Sequence, residues 1–471
     1  MLYSTKSERG IIMKEQLRIV CPNGHLGFAP TKEESFKIAA ATKPDYYCCD
    51  SGSDDIGATA LGADRSVSMR KWQKHDLELM LLAAREQNVP MLVGSAGDSG
   101  SNSRVDLYIE LIKEIAAEHN LPPFKIGYFY SEVDKEELKN RMDHNVVVEG
   151  LDERPALTKE DVDKTERIVG VAGVHPYIKA LDMGADVVIG GRSSDCAIFA
   201  APAIREGFPE AQSYYLGKVL ECASFCAEPY GAKESVVGTV TKDDVKVTAM
   251  HPNQRCTIAS VAGHAMYERA NPNYEYVAGG MLDMTNCEYE QYDEKTTRVT
   301  GMKFVPVEGK VKVKLEGSGK NGEKYIGIAG VRDPYTIKNI DKVIEMAEQQ
   351  VEEEFKGSDY KISFRVFGKN GVMGDLEPVK EIKSHELCII VEGIAETHEE
   401  AEALTLYGTR QIFYARLPEV KGTAGTAAFI VDDVLPATAS YSWTMNHTIP
   451  VDNPLDLFDV RTSNIGELVK S

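Results

Sequence analysis

Apolar and polar positions follow two rhythms over the first 230 residues. Short consecutive apolar runs at 16–21, 45–49, 90–93, 125–130 and 185–189 read as strands. Between them, residues 32–42, 75–87, 104–119 and 161–183 repeat apolar positions at the 3.6-residue spacing of a helix face. In the second of these, Leu77, Leu79, Met80, Leu82 and Ala83 share one broad face. The run Ala185-Asp-Val-Val-Ile-Gly190 is nearly all apolar, which predicts a strand covered on both faces. Strand, helix, strand repeated in this way predicts an α/β fold, a mostly parallel sheet with helices on both faces.

After residue 230 the rhythm changes. Residues 235–248 alternate as a half-exposed strand does, and 310–316 (KVKVKLE) alternate strictly, which predicts antiparallel pairs. The polar run 317–323 reads as a hairpin loop. A helical pattern at 338–355, strands at 361–367 and 386–391, and a helix at 399–414 predict a small α+β sandwich. The expected domains are therefore 1–230 (α/β, ligand-binding), 231–335 (strand-rich) and 336–471 (α+β).

Length and charge narrow the function. A chain of 471 residues exceeds one ordinary core, and its net charge of −20 repels polyanions, so nucleic acid is not an expected partner. A small anionic metabolite remains open, because amides and placed cations act locally. No run approaches the roughly 18 apolar residues that span a bilayer. Residues 1–15 are mostly polar and charged, with only short apolar runs such as Ile11, Ile12 and Met13, so they lack a secretory core and a cytoplasmic location is expected. Nine scattered cysteines read as reduced thiols. Cys222 and Cys226, four apart, have no second Cys/His pair at zinc-site spacing and read as core packing.

In a parallel sheet, ligands sit beyond the carboxyl ends of the strands. The first strand is followed by Cys21-Pro-Asn-Gly-His25, the second by Asp50, Ser51, Gly52, Ser53 and Asp54, the third by Gly94, Ser95, Gly97, Asp98, Ser99 and Gly100, and the fifth by Gly191, Arg192, Ser193 and Asp195. Small residues permit close backbone approach, and arginine offers a planar fork for carboxylate or phosphate. These hydroxyl, glycine, Arg192, Asp98 and Asp195 positions are the expected substrate-binding set. Asp50, Asp54, His25 and His175 are the acid/base candidates. Capping explains Asp50, Asp54 and Asp195 as well, and a structural role explains the histidines. No resident metal or other cofactor is predicted, with a divalent cation on Asp50, Asp54 and Asp98 left open. The chain has no nucleotide P-loop, nucleophile elbow, HExxH zinc helix or first-strand GxGxxG. Hydride transfer and ATP hydrolysis are disfavoured accordingly.

The sequence resembles the acyclic terpene utilisation (AtuA) family. The resemblance rests on Asp50-Ser-Gly-Ser, on Val89-Pro-Met-Leu-Val-Gly-Ser-Ala-Gly97, and most of all on Gly184-Ala-Asp-Val-Val-Ile-Gly-Gly-Arg-Ser-Ser-Asp195 with the alanine-rich segment 197–203. Gly327-Ile-Ala-Gly-Val-Arg-Asp-Pro334 resembles a further family segment. It implies an N-terminal α/β domain, a ferredoxin-like C-terminal region, and a small partner subunit in bacterial pathways that degrade branched or unsaturated acids. It implies no mechanism. The expected activity is that of a lyase or hydratase on a small unsaturated or hydroxy carboxylic acid or its thioester. Arg192 and the amides of residues 94–101 would hold the carboxylate. The alternatives are a non-catalytic acyl-metabolite scaffold that docks the partner subunit, and a subunit of an acyl-CoA transferase or ligase. A homo-oligomer is expected.

Overall fold

Buried, nearly uninterrupted apolar strands form the parallel centre of a ten-stranded sheet. They are Leu17–Cys21, Tyr46–Gly52, Met91–Asp98, Val187–Gly190 and Phe124–Tyr130, in that spatial order. Every residue of Tyr46–Gly52, Met91–Asp98 and Val187–Gly190 is buried, as a sheet covered on both faces requires. Helix Arg70–Gln87 packs against Asn102–Glu118, and Ala197–Arg205 packs against both His175–Asp182 and Glu210–Leu220. Ala197–Arg205 is apolar around most of its circumference, with residues 197–203 all buried, which marks an interior helix.

The computed structural model describes residues 14–466 other than Thr423. Most of the polar N-terminal stretch, 1–13, lies outside the described residues. The chain divides into two compact units, one running to Ser318 and resuming at Trp443, the other Gly319–Ser442. These divisions differ from the expected ones at 230 and 335, and strand pairing explains why. Val236–Val240 pairs antiparallel with Leu17–Cys21, then Val245–Ala249, Thr296–Thr300 and Glu288–Gln291 extend that edge. Asp459–Ile465 closes the other edge beside Phe124–Tyr130. The first four of these strands thus continue the first sheet, and a separate three-stranded sheet, Tyr274–Val277, Gly280–Asp283 and Lys303–Pro306, lies on helix Glu210–Leu220.

Two elements depart from their sequence patterns. Residues 161–183 are not one helix: Thr158 and Asp161 form a capping box for Lys159–Lys164, Arg167–Val171 is a strand, and His175–Asp182 is the next helix. The β-branched run Ile168-Val169 favours extension and pairs with the long strand Val311–Val331. That strand also runs straight through 317–323, where a hairpin loop is expected, because Gly317 and Ser318 are buried in the ladder with Arg167–Val171.

The second unit continues that strand, then adds helix Ile340–Glu354, strands Tyr360–Phe367 and Leu387–Ala395, helix His398–Tyr414 and the start of strand Leu435–Val451. Its core includes Ala329, Val343, Ile389, Val391 and Ile412. The whole is an α/β fold with mixed parallel and antiparallel pairing and flanking helices. Among the described residues, no helix is long and apolar enough to cross a membrane.

One feature of the order positions the site. Met91–Asp98 and Val187–Gly190 are neighbours, yet the chain leaves the first toward Phe124–Tyr130 and the second toward Val236–Val240, in opposite directions along the sheet. In open sheets such a switch marks the carboxyl-end crevice that binds ligands, and here the crevice opens beyond Val187–Gly190, at Arg192, Ser194 and Asp195.

Candidate active site

Most of the small residues expected to cradle a ligand instead let two chain segments approach each other. Asp50, Ser51 and Gly52 lie within a strand, as do Gly94, Ser95, Gly97 and Asp98, with Asp50 opposite Gly94 and Gly52 opposite Asp98. A Cβ at Gly52 would stand 1.9 Å from the Asp98 carbonyl oxygen, and one at Gly100 (φ +64°) 2.2 Å from the Arg192 amide nitrogen. The Ser95 amide donates to the Gly191 carbonyl at 3.2 Å, and the Gly100 amide to Ala96 at 3.0 Å. The amides of Ser95 and Gly100, expected to be open to an anion, are therefore committed within the fold. Ser99 and Gly191 are buried beside them, Gly191 against Ser131. Ser51 Oγ bonds to the Tyr108 hydroxyl, and Ser53 caps the short turn at Asp54–Ile56.

The acid/base candidates separate. His25 Nε2 lies 2.8 Å from Asp98 Oδ1, and Asp98 also accepts from the amides of Val67 and Ser68 and from Ser68 Oγ. Burial pushes the Asp98 carboxyl up, but the His25 and Ser68 hydrogen bonds outweigh it and leave it lowered. Asp50 is buried, with no hydrogen-bond partner for Oδ1. Burial and the nearby Asp195 charge push its pKa well up against the pull of Arg192, which favours the neutral acid. His175 opens its helix half-buried, and burial lowers its pKa. A cation on Asp50, Asp54 and Asp98 does not fit, because the Asp98 carboxylate is already satisfied by four donors.

Arg192 and its neighbours gather at the crevice. Its fork, expected to face a ligand, is closed by Glu316, with Nε to Oε2 at 2.8 Å and Nη2 to Oε1 at 3.1 Å. Nη1 donates to the Ser193 carbonyl at 2.7 Å, to Ser95 Oγ at 3.2 Å and to Asp195 Oδ1 at 3.1 Å. Ser193 Oγ lies 2.7 Å from the Tyr177 hydroxyl. Lys314 bridges Glu316 at 2.8 Å and Asp54 at 3.0 Å. Burial raises the Glu316 carboxyl, and Arg192 and Lys314 more than reverse this, so it stays ionised. Asp54 is likewise lowered, its partial burial outweighed by the same two cations. Asp195 shows the opposite balance. Burial raises it despite Arg192, while 34% of its side chain opens to the adjoining cavity.

That cavity measures about 780 Å³. Its floor is Arg192, Ser194 and Asp195 at the strand ends, and its walls are the end of helix Glu210–Leu220, the three-stranded sheet and the start of Val311–Val331. Asp54, Glu149, Asp195, Glu221, Glu268 and Glu275 meet Arg192, Lys218, Arg269, Lys312 and Lys314 there. Six carboxylates against five cations make the cavity nearly neutral inside a strongly acidic protein, so a small anion is not repelled at close range.

Of the residues at the back of this cavity, the sequence singles out only Cys222, which reads there as core packing. Buried Lys218 pairs with Glu221 and lies over the Tyr267 ring at 4.7 Å. Burial raises Glu221, with Lys218 pulling it down, and burial pushes His264 down to about 3. Glu221, Cys222 and His264 place one ligand atom each within 4.8 Å of one another, a set that could hold a divalent cation. The available signal was Lys218 and Glu221 interrupting the apolar run 214–227. His264 comes from another helix, Ile258–Ala265, which spacing alone does not reveal.

No curated protein and no solved structure matches the chain. The model of one family, described as acyclic terpene utilisation family protein AtuA, matches residues 17–448 and so reaches into both units and covers every residue of the cavity. The chain belongs to the acyclic terpene utilisation family.

Proposed function

We propose that the cavity binds a small hydroxy or unsaturated carboxylic acid, free or as its thioester, and that the protein is a hydro-lyase in the breakdown of such acids. The observation that carries this reading is Asp195, a carboxyl with a raised pKa that opens into the cavity and is oriented by an arginine that Glu316 locks in place. A carboxyl whose pKa is raised holds a proton more firmly than a free one, as a group that both takes up and returns a proton requires. In the dehydration direction Asp195 takes the proton from the carbon beside the carboxyl or thioester carbonyl. The same proton leaves with the β-hydroxyl as water, and the C–H electron pair becomes the new double bond. Lys312 and Lys314 hold the carboxylate and stabilise the enolate-like charge. Glu149, paired with Lys312, and Asp54, paired with Lys314, are solvent-exposed, so a ligand displaces those two pairs at little cost while Lys314 keeps its bridge to buried Glu316.

The test is to mix the pure protein with hydroxy and unsaturated acids and their thioesters and to follow enoyl absorbance. Asp195→Asn should lower kcat by about 10²- to 10⁴-fold while ligand-dependent melting persists. Equal turnover by the variant would overturn the assignment.

A second reading, a binding scaffold that docks a small partner subunit, draws on the second unit. Its strand–helix–strand–strand–helix–strand order, with sheet positions second, third, first and fourth, supports a ferredoxin-like fold. Val372, Met373, Leu376 and Val379 stand exposed together between its second and third strands. Ligand-dependent melting without turnover, with or without a partner, would favour this reading.

A further inference from the structure

Cys222 follows the last turn of helix Glu210–Leu220, and His264 lies near the end of helix Ile258–Ala265, which packs against it. Glu221, Cys222 and His264 therefore converge from two rigid elements. Two observations separate this cluster from ordinary packing. His264 is buried, 6% exposed, yet its Nε2 has no hydrogen-bond partner. A buried ring nitrogen left unsatisfied is costly, and interiors seldom tolerate it unless a ligand fills the role. Glu221 also lines the 780 Å³ cavity, so the cluster has an entry path and an open side.

We propose that Glu221, Cys222 and His264 form a three-ligand site for a borderline-soft divalent cation of the zinc type, with its fourth coordination position facing the cavity. Thiolate, imidazole and carboxylate together select zinc-like ions over magnesium or calcium, which prefer all-oxygen shells. In a tetrahedral site with bonds of about 2.0 to 2.3 Å, ligand atoms stand about 3.5 Å apart. The ligand atoms now lie within 4.8 Å of one another, and binding would draw them together through side-chain rotation. Outer partners are in place as well. The Tyr267 hydroxyl lies 2.9 Å from Cys222 Sγ, its ring stacks on His264 with centroids 4.8 Å apart, and Lys218 pairs with Glu221. Three protein ligands with one open position is the arrangement of catalytic, not structural, zinc. A cation there would polarise an oxygen of whatever the cavity holds.

The proposal stands apart from the proton chemistry assigned to Asp195 and is tested without turnover. Chelator-treated protein is titrated with Zn²⁺ by calorimetry and with Co²⁺ by absorbance. The expected result is one equivalent bound, with a thiolate-to-cobalt charge-transfer band that disappears in Cys222→Ser and affinity at least about tenfold weaker in His264→Gln. Melting curves show whether each variant is folded. Should either fail to fold, protection of Cys222 from alkylation by Zn²⁺ in the unmodified protein supports the site, and absence of protection overturns it. Substoichiometric binding, or a cobalt spectrum indifferent to Cys222→Ser, also overturns the proposal. Calorimetry of a hydroxy acid into metal-free protein keeps a failure here distinct from a failure of the hydro-lyase reading.

Discussion

Arg192 shows how a residue with a legible motif takes its role from a partner that the motif does not contain. Its glycine-rich loop is apparent in the sequence, but Glu316 lies 124 positions away on a strand whose alternation signals only exposure to one side. Breaking this buried pair leaves a desolvated guanidinium, so Glu316→Ala should lose about 3 to 5 kcal/mol in denaturant unfolding. A loss under about 1 kcal/mol would mean that the pair is dispensable. Asp50 gives a prediction in pH. Its folded pKa is raised above the ordinary 3.8, so its contribution is fully present below that value and is lost as pH rises through the folded pKa. The melting temperature of Asp50→Asn should therefore gain on that of the unmodified protein as pH rises from about 4 toward neutrality. Asp98 is depressed, so its contribution is present above the ordinary aspartate value and fades as pH falls through the folded value. Asp98→Ala orphans two backbone amides and should cost about 2 kcal/mol or more at neutral pH, measured by urea unfolding.

At the scale of elements, the buried parallel strands were the most legible because nothing but a two-sided core demands so continuous an apolar run. Val187–Gly190 and Phe124–Tyr130 fall where the pattern puts them. Residues 161–183 read as one helix because a short strand between two short helices mimics a single helical period, and only the pairing of Arg167–Val171 with Lys314–Ser318 discloses it. The glycines of the second and third strands were visible, but their purpose was not. A requirement for close chain approach looks the same in sequence whether the neighbour is a ligand or another strand. Gly100→Ala tests the latter. With φ at +64° and a Cβ 2.2 Å from the Arg192 amide nitrogen, it should destabilise by at least about 2 kcal/mol, read as a lowered denaturation midpoint. An unchanged midpoint would show that the two loops are not interlocked as described.

Across the whole molecule, the division of the chain could not be read locally, since the strands within residues 236–249 and 288–300 change rhythm without leaving the first sheet, and Asp459–Ile465 returns near the end of the chain to complete it. The cavity shares this character: strand ends, a helix terminus and a small sheet that are remote in sequence enclose it. Its acid/base reading rests on Asp195. The most direct test is deuterium exchange: hydroxy acids or their thioesters are incubated with the protein in heavy water, and nuclear magnetic resonance follows the hydrogen beside the carboxyl or thioester carbonyl. The account predicts that label enters at that carbon with the unmodified protein and that Asp195→Asn lowers the rate by at least about 10²-fold while still binding the acid. Label entering equally fast with Asp195→Asn, or never entering with any acid that the cavity binds, would contradict it.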